Sequence, residues 1–244
     1  MHQDRFYLPY APSTREIWLN GDEAHHILHV KRAKLGTKIT LFDGKGFEYL
    51  AHVTEILSDK LKIFIEECKS VDREPGIDIT IAFSIPKGKL VTFLIQKCAE
   101  LGVKNLIPLH CKRSVIDIRD KSAEKIERWN KITTEASKQC KRNFVTNVEN
   151  IMSLDDLIKN IRNYDLSLIA CTEPHTKTLK RLLSEHPSGK KIICLIGPEG
   201  GFTPSEIETA EKAGCIPVSM GLSTLRIETA AIAVSSMLLY AYSD

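Results

Sequence analysis

Leu195-Ile-Gly-Pro-Glu-Gly-Gly-Phe-Thr-Pro-Ser-Glu-Ile207 is the stretch that decides the fold. The run ahead of it, Lys191 to Ile196, is short, apolar and rich in β-branched residues, which predicts a buried strand. Behind it, Thr203 or Ser205 can cap a helix with Pro204 and Glu206 in its first turn. Between strand and helix, Gly197, Gly200 and Gly201 let the chain turn sharply and let a ligand approach the main chain. Open α/β sheets bind ligands at such carboxyl ends of strands. Two readings stand side by side, an ordinary strand-to-helix turn and a backbone-lined ligand loop. A phosphate-binding P-loop is excluded, because Phe202-Thr203 follows the last glycine where Lys-Ser/Thr is needed. The spacing G-x-x-G-G also departs from the dinucleotide fingerprint G-x-G-x-x-G.

Downstream, Ser219-Met-Gly-Leu-Ser-Thr-Leu-Arg-Ile-Glu-Thr-Ala230 repeats the strand-loop-helix passage. Arg226 and Glu228 fall at a helix start. A cation there opposes the helix dipole, so Glu199, Glu228 or an anionic ligand should compensate it. The final helix, expected over 227–242, is apolar around most of its circumference and belongs in a core or a subunit interface.

Upstream, strands are expected at Ile77–Ile85, Leu106–Leu109 and Leu166–Cys171, and helices at Lys89–Leu101 and Ser122–Arg142. Strands alternating with helices predict an α/β domain with a parallel sheet. The first 70 residues read differently. A helix over Glu23–Lys31 interrupts short strands such as Lys38–Asp43, Phe47–Val53 and Leu61–Ile65, which suggests a compact barrel-like module. Asp72-Arg-Glu-Pro-Gly76 is the candidate linker. The expected domains are therefore residues 1–72 and 73–244.

Composition constrains partners less. Of 244 residues, 43% are hydrophobic and 27% charged, as in soluble globular proteins. The net charge of +3 argues neither for nor against nucleic acid. The sequence shows no membrane-length apolar run and no signal-peptide core, so a cytoplasmic protein is expected. Seven cysteines with no C-x-x-C pair fit free thiols in a reducing compartment.

Three further groupings invite chemistry. Gln96 and Glu100 share a helix face near Lys87, Lys89, Arg113 and Ser114. Arg128, Lys131, Lys138 and Arg142 load one helix end with cations, which suits phosphate contacts or a solvated face. His25, His26 and His29 bring no third ligand type and no H-E-x-x-H pattern, so no metal site is expected.

These residues carry a family resemblance. Leu195-Ile-Gly-Pro-Glu-Gly-Gly-Phe with Glu206, and Leu225-Arg-Ile-Glu-Thr-Ala-Ala231, resemble the RsmE-type ribosomal RNA uracil-N3 methyltransferases. So do Gln96-Lys-Cys-Ala-Glu-Leu-Gly-Val103, Glu135-Ala-Ser-Lys-Gln-Cys-Lys-Arg142, Arg5-Phe-Tyr-Leu-Pro9 and Gly21-Asp-Glu-Ala-His-His-Ile-Leu-His-Val-Lys-Arg32. The resemblance runs from residue 5 to 240 in one register. It implies a SPOUT α/β domain with a trefoil knot, a rare exception to unknotted topology, preceded by a PUA-like β-barrel. It implies a homodimer that binds S-adenosylmethionine and acts on 16S rRNA of the small ribosomal subunit.

The resemblance assigns the cofactor to loops 171–174, 195–201 and 219–226, through Thr172, Leu195, Ile196, Gly197, Gly200, Gly201, Met220, Gly221 and Leu225. Expected catalytic residues are Arg226, Glu199 and Glu228; expected RNA contacts are Arg5, Arg32, Lys87, Arg113, Lys138 and Arg142. One position departs from the family pattern, since Ser223 stands where an arginine is usual. Without the resemblance, a non-catalytic RNA-binding or assembly protein and a SPOUT enzyme with another RNA target fit the same residues; a protein methyltransferase fits the basic helix least.

Overall fold

Tyr49, Ala51 and Val53 are buried while residues between them are more open, so the period-2 pattern does make a half-buried strand. The structure, a computed structural model, describes residues 4–114, 122–173, 176–187 and 189–242. Residues 1–3 and 243–244 at the ends of the expected domains, 115–121 ahead of the expected helix Ser122–Arg142, Pro174 of the loop 171–174, and residues 175 and 188 lie outside the described residues.

The chain divides into two compact units: Met1–Arg73 with Ser137–Val145, and Glu74–Ala136 with Thr146–Asp244. The linear division at 72/73 thus omits a later segment that the first unit takes up. In that unit β1 (Arg5–Tyr7), β2 (Glu16–Leu19), β3 (Lys38–Phe42), β4 (Phe47–Ile56) and β5 (Leu61–Ser70) form a curled sheet in the order β1-β3-β4-β5-β2. Register shifts in the β4–β5 pairing fall at Leu50/Ala51 and Val53/Glu55, where bulges increase twist. Phe6, Leu8, Ile27, Ile39, Leu41, Leu61 and Ile63 fill its core. Buried Asp43 closes the β3–β4 turn by accepting from the N–H groups of Lys45 and Phe47, at 2.8 and 3.1 Å. The short helix α1 (Gly21–His25) begins earlier than the sequence suggests and runs into a π-helical turn, His26–Val30. Asn20 precedes it without a side-chain capping bond.

The second unit is built on an eight-stranded sheet. Seven strands run in the order β11-β13-β10-β12-β6-β7-β8, and β9 pairs with β7. The strands are β6 (Asp78–Ser84), β7 (Asn105–His110), β8 (Asn147–Val148), β9 (Met152–Ser153), β10 (Leu166–Ala170), β11 (Lys177–Thr178), β12 (Lys191–Ile196) and β13 (Ile216–Ser219). Every pairing is parallel. Helices α2 (Leu90–Glu100), α3 (Ser122–Cys140), α4 (Leu154–Ile158), α5 (Leu179–Glu185), α6 (Pro204–Ala213) and α7 (Ile227–Tyr242) alternate with the strands. The last turn of α3 belongs to the first unit. Gly102, with φ of 87°, follows α2 in the left-handed conformation expected of a helix stop.

Two apolar layers cover the sheet. One contains Ile79, Ile81, Leu94, Ile192, Cys194 and Val234; the other contains Ala82, Ile107, Ile169, Ile193, Leu195 and Phe202. Successive β12 residues alternate between the layers, as a strand buried on both faces requires. All seven cysteines are free thiols, and burial pushes those of Cys98, Cys111, Cys194 and Cys215 up to about 12. Among the described residues, no helix is long and apolar enough to cross a membrane.

Candidate active site

Strand register creates the site. Ala170 of β10 lies level with Ile196 of β12, and with Val218 one residue before the end of β13. Three loops therefore leave the same edge of the sheet side by side. Between them lies a cleft of about 280 Å³, lined by residues 170–173, 196–202, 219–221 and 223–225, with Arg113, Ile207 and Ala230.

The glycine loop is held by specific chemistry. Thr203 caps α6 and forms a capping box with Glu206. Glu206 is buried, and its Oε2 accepts from the Thr203 N–H at 2.7 Å and the Thr203 hydroxyl at 2.8 Å. Its Oε1 accepts from the Lys112 N–H at 2.8 Å. Burial alone would raise the Glu206 carboxyl, but those N–H and O–H donors and the Lys112 charge hold it below the usual carboxylate range. Gly197 is crowded: a Cβ there would sit 3.0 Å from the Phe202 ring and 3.1 Å from its backbone nitrogen, so Phe202 would have to give by a few tenths of an ångström. Gly201 and Gly221 must be glycine for conformation, with φ of 69° and 144°.

The turn after β7 clasps this loop. Lys112 Nζ donates to Ser205 Oγ at 3.0 Å, and Arg113 Nη1 donates to the Gly200 carbonyl at 2.7 Å. Ser114 Oγ accepts from the Cys111 N–H at 2.8 Å and lies 3.2 Å from Ser84 Oγ at the end of β6.

Of the residues expected to bind a cofactor, Thr172, Ile196, Gly197, Gly200, Gly201, Met220, Gly221 and Leu225 line the cleft. Leu195 does not: it is 0% exposed and packs in the layer with Ile193 and Phe202, because alternation along β12 gives only Ile196 to the cleft. Glu199 is exposed and lines the cleft. Arg226 and Glu228 are not among the lining residues; Arg226 is exposed just before α7, and Glu228 is buried in its first turn. The walls given by Phe202 and Ile207 escaped the sequence reading, which had no signal for how α6 folds back over the loop.

The expected RNA contacts divide in two. Arg32, Lys87 and Arg113 are exposed. Arg5, Lys138 and Arg142 are instead taken up inside the first unit, a correction that burial explains. Arg5 pairs with Glu48 and donates to the Arg142 carbonyl at 3.2 Å and to Asn143 Oδ1 at 2.7 Å. Lys138, its side chain 8% exposed, pairs with Glu23 at 2.7 Å, and Arg142 is 5% exposed. The His25 and His29 rings lie 4.6 Å apart, and among the described residues no group of three or more His, Cys, Asp or Glu could hold a metal.

Comparison with known proteins agrees with this geometry. The family described as RNA methyltransferase domain matches residues 73–239, and the one described as RNA methyltransferase PUA domain matches residues 19–67. Fold and site thus define an RNA methyltransferase with a PUA-like amino-terminal domain. The ribosomal RNA small subunit methyltransferase E of Bacillus subtilis (strain 168) is 33% identical over 227 residues, covering 91% of this chain and 89% of that one. The crystal structure of the enzyme of that name from Neisseria gonorrhoeae, bound to S-adenosyl methionine, is 32% identical with a TM-score of 0.90, covering 100% of this chain and 99% of that one. A Legionella pneumophila protein solved with bound SAM is 32% identical with a TM-score of 0.89 over the full length of both chains. The chain belongs to the ribosomal RNA small subunit methyltransferase E family.

Proposed function

We propose that the protein transfers the methyl group of S-adenosylmethionine to N3 of a uridine in 16S rRNA of the small ribosomal subunit, working as a homodimer in the cytoplasm. The carrying observation is the cleft at the level ends of β10, β12 and β13, floored by the glycine loop, in a chain whose Neisseria relative is solved with S-adenosyl methionine. The lining suits that molecule. Ile196, Met220 and Leu225 offer apolar surface for a nucleobase. Gly197, Gly200 and Gly201 let a ligand approach the main chain, with the Gly200 carbonyl held by Arg113 and the Gly201 N–H by the Pro198 carbonyl, and Thr172, Glu173 and Glu199 offer polar partners for hydroxyl and amino groups.

When bound, this molecule supplies an electrophilic methyl group on sulfur. The protein must hold an unpaired uracil in line with it. Uracil N3 carries a proton and becomes nucleophilic when that proton leaves. Arg226, exposed beside the cleft-lining Leu225, stabilises negative charge on the uracil oxygens and eases the loss. Glu199, exposed in the cleft, or Glu228 in the first turn of α7 accepts the proton or orients Arg226. Arg32 and Lys87 contact phosphates, and residues 1–72 serve as the RNA-binding domain ahead of the methyltransferase domain. The dimer reading rests on α2 and α7, which pack together and leave Leu90, Phe93, Met237 and Tyr240 exposed.

The test is nucleoside analysis of small subunits treated with the protein and S-adenosylmethionine. It should give 3-methyluridine, and Arg226→Ala should slow formation by about a hundredfold while cofactor affinity stays unchanged. Methyl groups on ribose or on another base would refute the N3 assignment. Unchanged turnover in Arg226→Ala would remove Arg226 from the chemistry.

A further inference from the structure

The cleft carries a charge pattern that the methyl-transfer reading does not by itself explain. Among the described lining residues, two are carboxylates, Glu173 and Glu199, and one is a cation, Arg113. Two acids alone would repel any anionic part of a ligand. Arg113 is not placed by chance, since its Nη1 donates to the Gly200 carbonyl at 2.7 Å. That bond spends one donor, orients the planar guanidinium at the glycine loop and, among the described residues, leaves the rest of the fork for another partner. The clasp at 111–114 fixes the same turn at both ends, through Glu206 and Ser84.

We propose that Arg113 is a specificity residue that recognises the carboxylate of an amino-acid ligand end. This rests on the methyl-transfer reading and deepens it. S-adenosylmethionine carries a sulfonium, an ammonium and one carboxylate, two positive charges against one negative. The cleft presents the complement, two carboxylates and one guanidinium. A guanidinium pre-oriented by a backbone carbonyl pairs with a carboxylate through two parallel N–H···O bonds, which a lysine cannot reproduce. Arg113 is the cation of the cleft among the described lining residues.

The experiment is calorimetric titration of the full chain with S-adenosylmethionine and with its decarboxylated analogue, using wild type, Arg113→Met and Arg113→Lys. Arg113 is exposed, so both variants should fold, which circular dichroism checks. Wild type should prefer the intact molecule by about tenfold or more. Arg113→Met should lose that preference, with affinity for the analogue within about twofold of wild type, and Arg113→Lys should regain part of it. Equal losses for both ligands would overturn the proposal and make Arg113 a buttress of the glycine loop. Lost RNA affinity with both small-molecule affinities intact would overturn it in favour of a phosphate contact. If wild type bound neither ligand, the methyl-transfer reading itself would fail, an outcome distinct from either of these.

Discussion

Arg5 and Arg113 are the same residue type put to opposite uses. In the first unit the Arg5 side chain is 9% exposed, and Glu48, 12% exposed, pairs with both Arg5 and Arg73. In the second unit Arg113 is exposed at the edge of a cleft, held by a neutral carbonyl with its charge left over. A desolvated cation needs its own carboxylate, and the pair then holds the fold together without facing a ligand. A solvated cation held by a carbonyl keeps its charge for a ligand. Sequence shows the residue type but not which carboxylate reaches it or how deeply it is buried, and this is why Arg5 and Lys138, paired with Glu48 and Glu23, and the buried Arg142 read as RNA contacts.

The largest expected effect breaks the structural side of this contrast. Glu48→Ala strands Arg5 with no carboxylate partner and should cost about 3 kcal/mol in denaturant unfolding, with cofactor affinity unchanged. A loss below about 1 kcal/mol would mean that the Arg142 carbonyl and Asn143 suffice for Arg5. Next, Gly197→Ala presses a methyl group against Phe202 and should cost about 1–3 kcal/mol and weaken cofactor binding as the loop shifts. Stability lost with binding intact would separate the loop's packing from its ligand role.

Glu206 sharpens the contrast by pH. Its folded carboxyl lies below the ordinary value of about 4.3, so its stabilisation is complete above that value and is lost as pH falls through the folded value. Glu206→Gln should cost about 1–2 kcal/mol near neutrality, and the gap from wild type should close on acidification. A gap constant with pH would show that the charge contributes nothing. The smallest expected stability effect is at the exposed cation Arg32. Arg32→Ala should change stability by no more than about 0.5 kcal/mol, while RNA affinity falls and its salt slope drops by about one.

Local chemistry was legible in the sequence. The apolar run of β12, the glycines and the Thr203–Glu206 box act within a few residues of one another, and they place both the strand and the helix start. The loops that line the cleft lie at the ends of those runs, but alternation turns Leu195 inward, and the walls given by Phe202 and Ile207 had no local signal. Long-range pairing was not legible. Residues 137–145 join the first unit through contacts such as the Lys45–Phe144 bridge and the Arg5–Asn143 bond, which spans 138 positions, with no periodic signal. Strands of two residues such as β8, β9 and β11 are too short to show a period.

The most direct measurement is calorimetric titration of S-adenosylmethionine into wild type and Gly200→Val. Gly200 is exposed, with the Arg113 side chain 3.5 Å from where its Cβ would stand, so valine fills the cleft edge with little demand on the core. The account predicts one site per chain in wild type and loss of binding in the folded variant. Binding unchanged by the valine would contradict a cofactor at the glycine loop, and a folded wild type that binds nothing would contradict methyl transfer.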